Sequence, residues 1–116
     1  MIVGIGTDLI EIARIGKACE KQAFLSRIYT EEECRLAGGS ILRLAGNFAV
    51  KEAVSKALGT GFRTFMPVDI EVLRDELGKP YVRLYGGALE QFEKMGMEQM
   101  AWQLPECFTI MSLTCW

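Results

Sequence analysis

One long helix is the strongest structural signal in this sequence, and any fold of the chain has to accommodate it. Ser40 is a good N-cap, and the helical pattern that follows it runs to about Leu58. Gly59-Thr60-Gly61 then ends the helix, because glycine readily takes the left-handed conformation that closes a helical segment. We therefore predict a long helix at the centre of the fold.

The segments on either side of this helix supply strands and shorter helices. The start of the chain, IVGIGTDLIEI, predicts a buried strand that ends near Asp8. Further predicted elements are a helix over Arg14–Ser26, a short helix from Thr30 to Gly38-Gly39 with Glu33 completing a capping box, a hairpin over residues 69–86 with the turn DELGKP, a helix over residues 87–96 capped by Gly96, and strand-like pieces around Pro105. Strands and helices segregate, so the fold class is α+β, with an antiparallel sheet packed against helices.

Length and composition indicate one globular domain over residues 1–116. Chains of this length fall in the usual size range of a single domain, and 50% apolar residues are enough to build a core. No apolar run approaches the roughly 20 residues that a membrane span needs, and the N-terminal segment lacks the basic region of a secretory signal. We therefore expect a cytoplasmic protein.

The four cysteines indicate no metal site. Cys19, Cys34, Cys107 and Cys115 form no C-x-x-C pair, and the chain has no histidine, which makes a zinc site improbable. We interpret all four as reduced thiols.

Charge is distributed unevenly along the chain. The net charge of −2 argues against nonspecific nucleic-acid binding, which needs a basic surface. Between Glu11 and Arg27, however, four basic residues stand against two acidic ones, namely Arg14, Lys17, Lys21 and Arg27 against Glu11 and Glu20. This segment is either an ordinary solvated helix surface or a docking surface for an acidic partner.

The long helix carries charged residues among small and apolar ones. Phe48, Glu52 and Lys56 lie on one face at i, i+4 and i+8, and Lys51 lies about 100° round the helix from Glu52. Glu52 and Lys56 suit a surface ion pair worth about 0.3–0.5 kcal/mol. They equally suit a ligand site, since the helix runs into a glycine-flanked turn where a ligand can approach the backbone.

Asp8 offers a second carboxylate. Alone, an aspartate at a strand end is an ordinary turn or cap residue. Together with Glu52 it could hold Mg²⁺, a hard ion that takes one or two carboxylates and completes its coordination with water and phosphate oxygens. A lysine beside that ion, such as Lys56, would suit a phosphate leaving group.

The sequence resembles the holo-acyl-carrier-protein synthase family, the small 4′-phosphopantetheinyl transferases. The family signatures are G-x-D near the start and F/W-x-x-K-E-x-x-x-K on a later helix. They match here as Gly6-Thr7-Asp8 and as Phe48, Lys51, Glu52 and Lys56. The hairpin resembles that of the family as well, so the resemblance covers about residues 1–97 and implies the family's fold.

The resemblance implies a reaction and roles for the motif residues. Such enzymes move 4′-phosphopantetheine from coenzyme A to a serine of apo acyl carrier protein and release adenosine 3′,5′-bisphosphate, in fatty acid biosynthesis. Asp8 and Glu52 would hold Mg²⁺ against the pyrophosphate, and Lys56 would stabilise the departing phosphate. Glu52, directly or through a metal-bound water, is the candidate base for the serine hydroxyl. Lys51, about 100° round the helix from Glu52, is not counted among the site residues.

Other implied contacts lie further from the phosphates. Gly61 and the turn at Gly78-Lys79-Pro80 are candidates for binding coenzyme A. The family also presents basic residues just after the first strand to the acidic carrier protein. Arg14 matches that position, with Lys17, Lys21 and Arg27 as helpers. The family forms trimers with active sites at subunit interfaces, so we expect a homotrimer.

The C-terminal segment departs from the family pattern S-L/I-S/T-H. Ser112-Leu113-Thr114 resembles its first three positions, but Cys115 stands where the histidine belongs and the sequence stops at Trp116. We expect a divergent or truncated C-terminus, and we hypothesise a change of reading frame near Thr114. An alternative function is therefore a catalytically impaired member that still binds coenzyme A or carrier protein. A purely structural oligomer, with Glu52 and Lys56 as a simple ion pair, is a further alternative.

Overall fold

The computed structural model describes the backbone of residues 4–95 and 108–115 and the side chains of residues 12–95. In chain order the elements are β1 (Gly4–Glu11), α1 (Ile12–Ala18), α2 (Gln22–Ile28), α3 (Glu31–Ala37), α4 (Ile41–Ala57), two 3₁₀ turns (Gly61–Arg63 and Pro67–Asp69), β2 (Ile70–Arg74), β3 (Pro80–Leu84), α5 (Gly86–Lys94) and β4 (Phe108–Cys115). The predicted cap Gly96 and the segment around Pro105 lie outside the described residues.

The helix α4 is the long central helix that the sequence predicts. It begins as expected, because the Ser40 hydroxyl accepts a hydrogen bond from the backbone N–H of Arg43 at 3.3 Å. It ends just before Gly59, whose φ of +84° is the left-handed conformation that favours glycine. Along its length α4 lies against β1, β4 and β2.

Two apolar regions form on the two halves of α4. Its C-terminal half packs Val54 and Leu58 against the hairpin and α5, in a cluster that also contains Ile70, Val72, Val82, Leu84, Ala88 and Phe92. Its N-terminal half packs Leu44 and Ala45 against side chains of α1, α2 and α3. The central helix therefore joins two parts of the core, and its rotation about its own axis affects both.

The described strands form two pairs of different kinds. Strands β2 and β3 form the predicted antiparallel hairpin, with Val72 opposite Val82. Strands β1 and β4 pair in parallel, with Asp8 opposite Ser112. The predicted end of the first strand near Asp8 is wrong, because residues 9–11 continue the strand and pair with residues 113–115.

The single helix predicted over Arg14–Ser26 is also wrong, since the structure has two helices there. Residues 19–21 form a tight turn in which the backbone N–H of Lys21 bonds the carbonyl of Ala18 at 3.1 Å. The break between α1 and α2 allows the two helices to pack against different parts of the core. Ile15 on α1 packs with the Ala45 region of α4, whereas Ile28 on α2 joins a separate cluster with Leu44.

Two further observations concern membrane spans and cysteines. Within the described ranges, no helix has both the length and the apolar character that crossing a membrane requires. Cys19 and Cys34 are free cysteines, as predicted. The side chains of Cys107 and Cys115 lie outside the described residues.

Candidate active site

Lys51 is fully buried, at 0% exposure, although its neighbours in the motif reach solvent. Its ammonium donates to the Glu33 carboxylate at 2.8 Å, to the carbonyl of Pro67 at 3.2 Å and to the carbonyl of Ile70. The ammonium also lies 5.6 Å from the centre of the Tyr29 ring, within cation–π range. The side chain of Lys51 is therefore surrounded by protein. Of the charged motif residues Lys51, Glu52 and Lys56, it is the one that is fully buried.

Glu33, the partner of Lys51, is equally buried and binds three segments of the chain. One carboxylate oxygen accepts from the backbone N–H of Thr30 at 3.0 Å, which completes the predicted capping box at the start of α3, and from Lys51. The other accepts from the backbone N–H of Val72 on β2 at 3.2 Å. The sequence predicts Glu33 only as part of a capping box, but its carboxylate also binds Lys51 on α4 and the backbone of β2.

Burial perturbs both members of this ion pair. Loss of water raises the pKa of the Glu33 carboxyl and lowers the pKa of the Lys51 ammonium, because each charge is less stable away from solvent. The opposite charge acts against each shift, and the two backbone N–H donors further favour the carboxylate. The two charges are therefore tolerated because they are buried together.

A second buried carboxylate extends the polar network around the hairpin. Glu71 accepts from the Thr30 hydroxyl at 2.6 Å and from the Tyr85 hydroxyl at 3.0 Å. Thr30, at the start of α3, therefore contacts both Glu33 and Glu71. This network fixes the junction of α2 and α3 against the hairpin.

Glu52 and Lys56 lie on a different side of α4 from the buried lysine. Glu52 is half-buried and Lys56 is exposed, so both side chains are accessible to a ligand. Phe48, on the same face, is partly buried and stacks on Phe24 with ring centres 6.3 Å apart. Phe48 therefore packs α4 against α2.

Asp8 is carried by β1, which packs against α4. The structure therefore brings together the two elements that bear Asp8 and Glu52. The side chain of Asp8 lies outside the described residues, so the pairing of these carboxylates stays a prediction. Among the described side chains, no three acidic or cysteine residues gather at one point to form a metal site.

The residues predicted to contact coenzyme A lie at two turns. Gly61 begins the first 3₁₀ turn after α4 and has a φ of +58°. Lys79 and Pro80 are exposed at the hairpin turn. The Asp75 carboxylate orders that turn by accepting from the backbone N–H groups of Leu77 and Lys79 at 2.9 and 2.8 Å. The hairpin therefore presents Lys79 on a hydrogen-bonded turn.

The basic residues predicted to face a partner are all exposed. They lie on α1, on the turn after it and on α2, and they are Arg14, Lys17, Lys21 and Arg27. Their exposure fits either a solvated surface or a docking surface.

Comparison with known protein families and structures adds independent findings. Residues 4–105 match the family model described as the 4′-phosphopantetheinyl transferase superfamily, which gives the class of protein. A holo-acyl-carrier-protein synthase of Lachnoclostridium phytofermentans is 64% identical over 88 residues, covering 76% of this chain and 72% of that protein. A second relative, of Clostridium novyi and the same name, is 50% identical over 100 residues.

Solved structures give the same result. The holo-acyl-carrier-protein synthase of Neisseria meningitidis superposes with a TM-score of 0.72 at 42% identity, over 85% of this chain and 84% of that one. This chain belongs to the holo-acyl-carrier-protein synthase family, which confirms the resemblance and the α+β fold of that family. The family match ends at residue 105 and does not include Ser112-Leu113-Thr114.

Proposed function

We propose that this protein transfers 4′-phosphopantetheine from coenzyme A to a serine of an apo acyl carrier protein and releases adenosine 3′,5′-bisphosphate, in fatty acid biosynthesis. The observation that carries the proposal is its similarity to holo-acyl-carrier-protein synthases over most of its length. A structure of such a synthase from Bacillus anthracis, described as a complex with coenzyme A (3′,5′-ADP), is 44% identical over 74% of this chain, with a TM-score of 0.66. These similarities favour an active transferase over the catalytically impaired alternative.

Asp8 and Glu52 are the residues that would hold Mg²⁺. The donor set fits a hard cation, because both are carboxylates, the chain has no histidine, and β1 and α4 pack side by side. When bound, the ion would neutralise charge on the pyrophosphate of coenzyme A. Because Glu52 is only half-buried, a phosphate group of coenzyme A can still reach its carboxylate from solvent.

Two side chains of α4 would assist the transfer of the phosphopantetheine group itself. The serine oxygen forms a bond to the β-phosphorus of coenzyme A, which carries the pantetheine, while the bond from that phosphorus to the bridging oxygen breaks. Glu52 would accept the proton of the serine hydroxyl. Lys56, one turn further along the exposed side, would stabilise the negative charge that develops on the departing adenosine 3′,5′-bisphosphate. Gly61 and the Lys79-Pro80 turn would bind the rest of coenzyme A.

The function is tested by the intact mass of apo acyl carrier protein after incubation with this protein, coenzyme A and Mg²⁺. We expect the carrier protein to gain one 4′-phosphopantetheine group, and we expect the gain to disappear when EDTA removes the divalent ion. A matched incubation with excess Mg²⁺ over EDTA should restore it. No gain with a folded protein would contradict the transferase, and an EDTA-resistant gain would contradict the role of the metal.

The basic surface of α1 and α2 is proposed to bind the acidic carrier protein. We expect Arg14→Glu to raise the KM for carrier protein several-fold with little change in kcat, because such charges mainly steer encounter. The effect should shrink as salt rises, since the screening length falls from about 10 Å at 0.1 M to about 3 Å at 1 M. Lys94→Glu, on the exposed side of α5, is the matched control. Equal effects of the two variants would show a nonspecific charge effect.

A homotrimer with active sites at its subunit interfaces is the assembly that we propose. Sedimentation equilibrium of the purified protein tests it, and a monomer at micromolar concentration would contradict it. The cytoplasmic location also stays a prediction.

A further inference from the structure

A single side chain of α4 binds two other segments of the chain, α3 and the stretch that leads into β2. The Lys51 ammonium contacts Glu33 on α3, the carbonyl of Pro67 in the second 3₁₀ turn and the carbonyl of Ile70 at the start of β2. All of these partners lie outside the helix that carries Lys51. Because a buried ammonium must keep its hydrogen bonds, these contacts restrict how far α4 can turn or slide.

The position of Lys51 on the helix determines where its neighbours point. Successive side chains of an α-helix are about 100° apart, so fixing Lys51 also fixes the direction of Glu52. Ser55, one turn after Lys51, is buried at 1% exposure, and its hydroxyl donates to the backbone carbonyl of Glu52 at 2.7 Å. The Ser55 bond lies within α4, so it is Lys51 that ties this buried side of the helix to other segments, while Glu52 and Lys56 remain accessible.

The same contacts tie α4 to the hairpin. Lys51 binds the carbonyl at the start of β2, and Glu33 accepts from the N–H of Val72 two residues further along that strand. Strand β2 leads directly into the turn that carries Lys79. The ion pair therefore connects the helix that bears Glu52 to the hairpin whose turn is proposed to bind the other end of coenzyme A.

We propose that Lys51 and Glu33 are positioning residues, which set the rotation of α4 and its distance from the hairpin so that Glu52, Lys56 and Lys79 bind one coenzyme A molecule together. This inference rests on the proposed function. It assigns to the first lysine of the motif a role that involves no contact with the substrate. A misplacement of about 1 Å at a reacting group can reduce a rate by about a hundredfold, so the expected effect is large.

The test separates positioning from stability by removing both charges at once. A single substitution leaves one buried charge unpaired and can unfold the protein, whereas Glu33→Gln with Lys51→Met leaves none. The matched control is Glu32→Gln, the preceding residue on α3, whose carboxylate pairs with Arg35 at 2.5 Å on the surface. All measurements are made well below each variant's melting temperature, after circular dichroism has shown the native helix content.

Two readouts are taken for each folded protein. One is kcat and KM for carrier-protein modification, and the other is the Kd of coenzyme A in Mg²⁺ by isothermal titration calorimetry. For the double variant we expect kcat to fall at least about tenfold and the Kd of coenzyme A to rise at least about threefold, while Glu32→Gln matches the wild type.

The outcomes are distinct. A folded double variant with wild-type kcat and wild-type affinity for coenzyme A would overturn the positioning role and leave the ion pair purely structural. If the double variant does not fold, Lys51→Arg takes its place, because arginine retains the charge but changes its geometry. The kcat of this variant and its Kd for coenzyme A are then judged by the same criteria. A wild-type protein that neither transfers nor binds coenzyme A would instead refute the proposed function.

Discussion

Lys51→Met is expected to lower the free energy of unfolding by about 3–5 kcal/mol, the usual cost of removing one partner from a buried ion pair. The substitution leaves the Glu33 carboxylate at 0% exposure without its counter-charge, and it deprives the carbonyls of Pro67 and Ile70 of a donor. Since small domains are stable by only about 5–15 kcal/mol, this is a large fraction of the total. Urea unfolding followed by circular dichroism measures the change.

Companion variants identify the cause of that loss. Adding Glu33→Gln to Lys51→Met should recover part of the stability, because a neutral pair avoids the unpaired charge. Glu32→Gln should leave the unfolding midpoint nearly unchanged, since the Glu32–Arg35 pair is exposed. A Lys51→Met variant as stable as the wild type would show that the buried pair contributes nothing net.

Glu52→Gln is expected to reduce kcat/KM for carrier-protein modification by about 10²–10⁴, the usual contribution of a general base. The amide keeps the shape of the side chain but can neither accept the serine proton nor bind a divalent ion with a full charge. Because Glu52 is only half-buried, the variant should fold normally. The intact-mass assay gives the rate, and a rise in the Mg²⁺ concentration for half-maximal activity would report the lost ligand.

The control for this substitution is Glu90→Gln, which removes an exposed carboxylate from α5. It should leave both kcat/KM and the Mg²⁺ dependence unchanged. Transfer by Glu52→Gln at the wild-type rate would show that Glu52 has no role in the reaction. Glu52 and Lys56 would then be interpreted as a simple surface ion pair.

Local features of this fold could be predicted from the sequence because local signals determine them. The capping box at Thr30 and Glu33 and the cap at Ser40 are present as expected, since each depends on residues a few positions apart. The hairpin register follows from alternating apolar residues around a polar turn. The spacing predicts that Glu52 and Lys56 share one face of the helix, their roles in a site come from the resemblance to the family, and the structure places both side chains at accessible positions.

What the sequence could not show depends on contacts between distant segments. The burial of Lys51 requires Glu33, 18 residues before it, and backbone atoms 16 and 19 residues after it. Leu44 and Val54, which lie near Lys51 on the helical period, were the available sign that this side of the helix is buried. The parallel pairing of β1 with β4, from opposite ends of the chain, has no local signal at all.

The contacts of Glu33 also have a consequence for the order of folding. Its partners lie 3, 18 and 39 residues away along the chain, so local and distant contacts converge on one carboxylate. Removing that carboxylate from water before Lys51 arrives would cost energy with little in return. We therefore expect α3 to close fully over the core only once α4 and the hairpin have come together, so that these segments reach their final packing in one cooperative step.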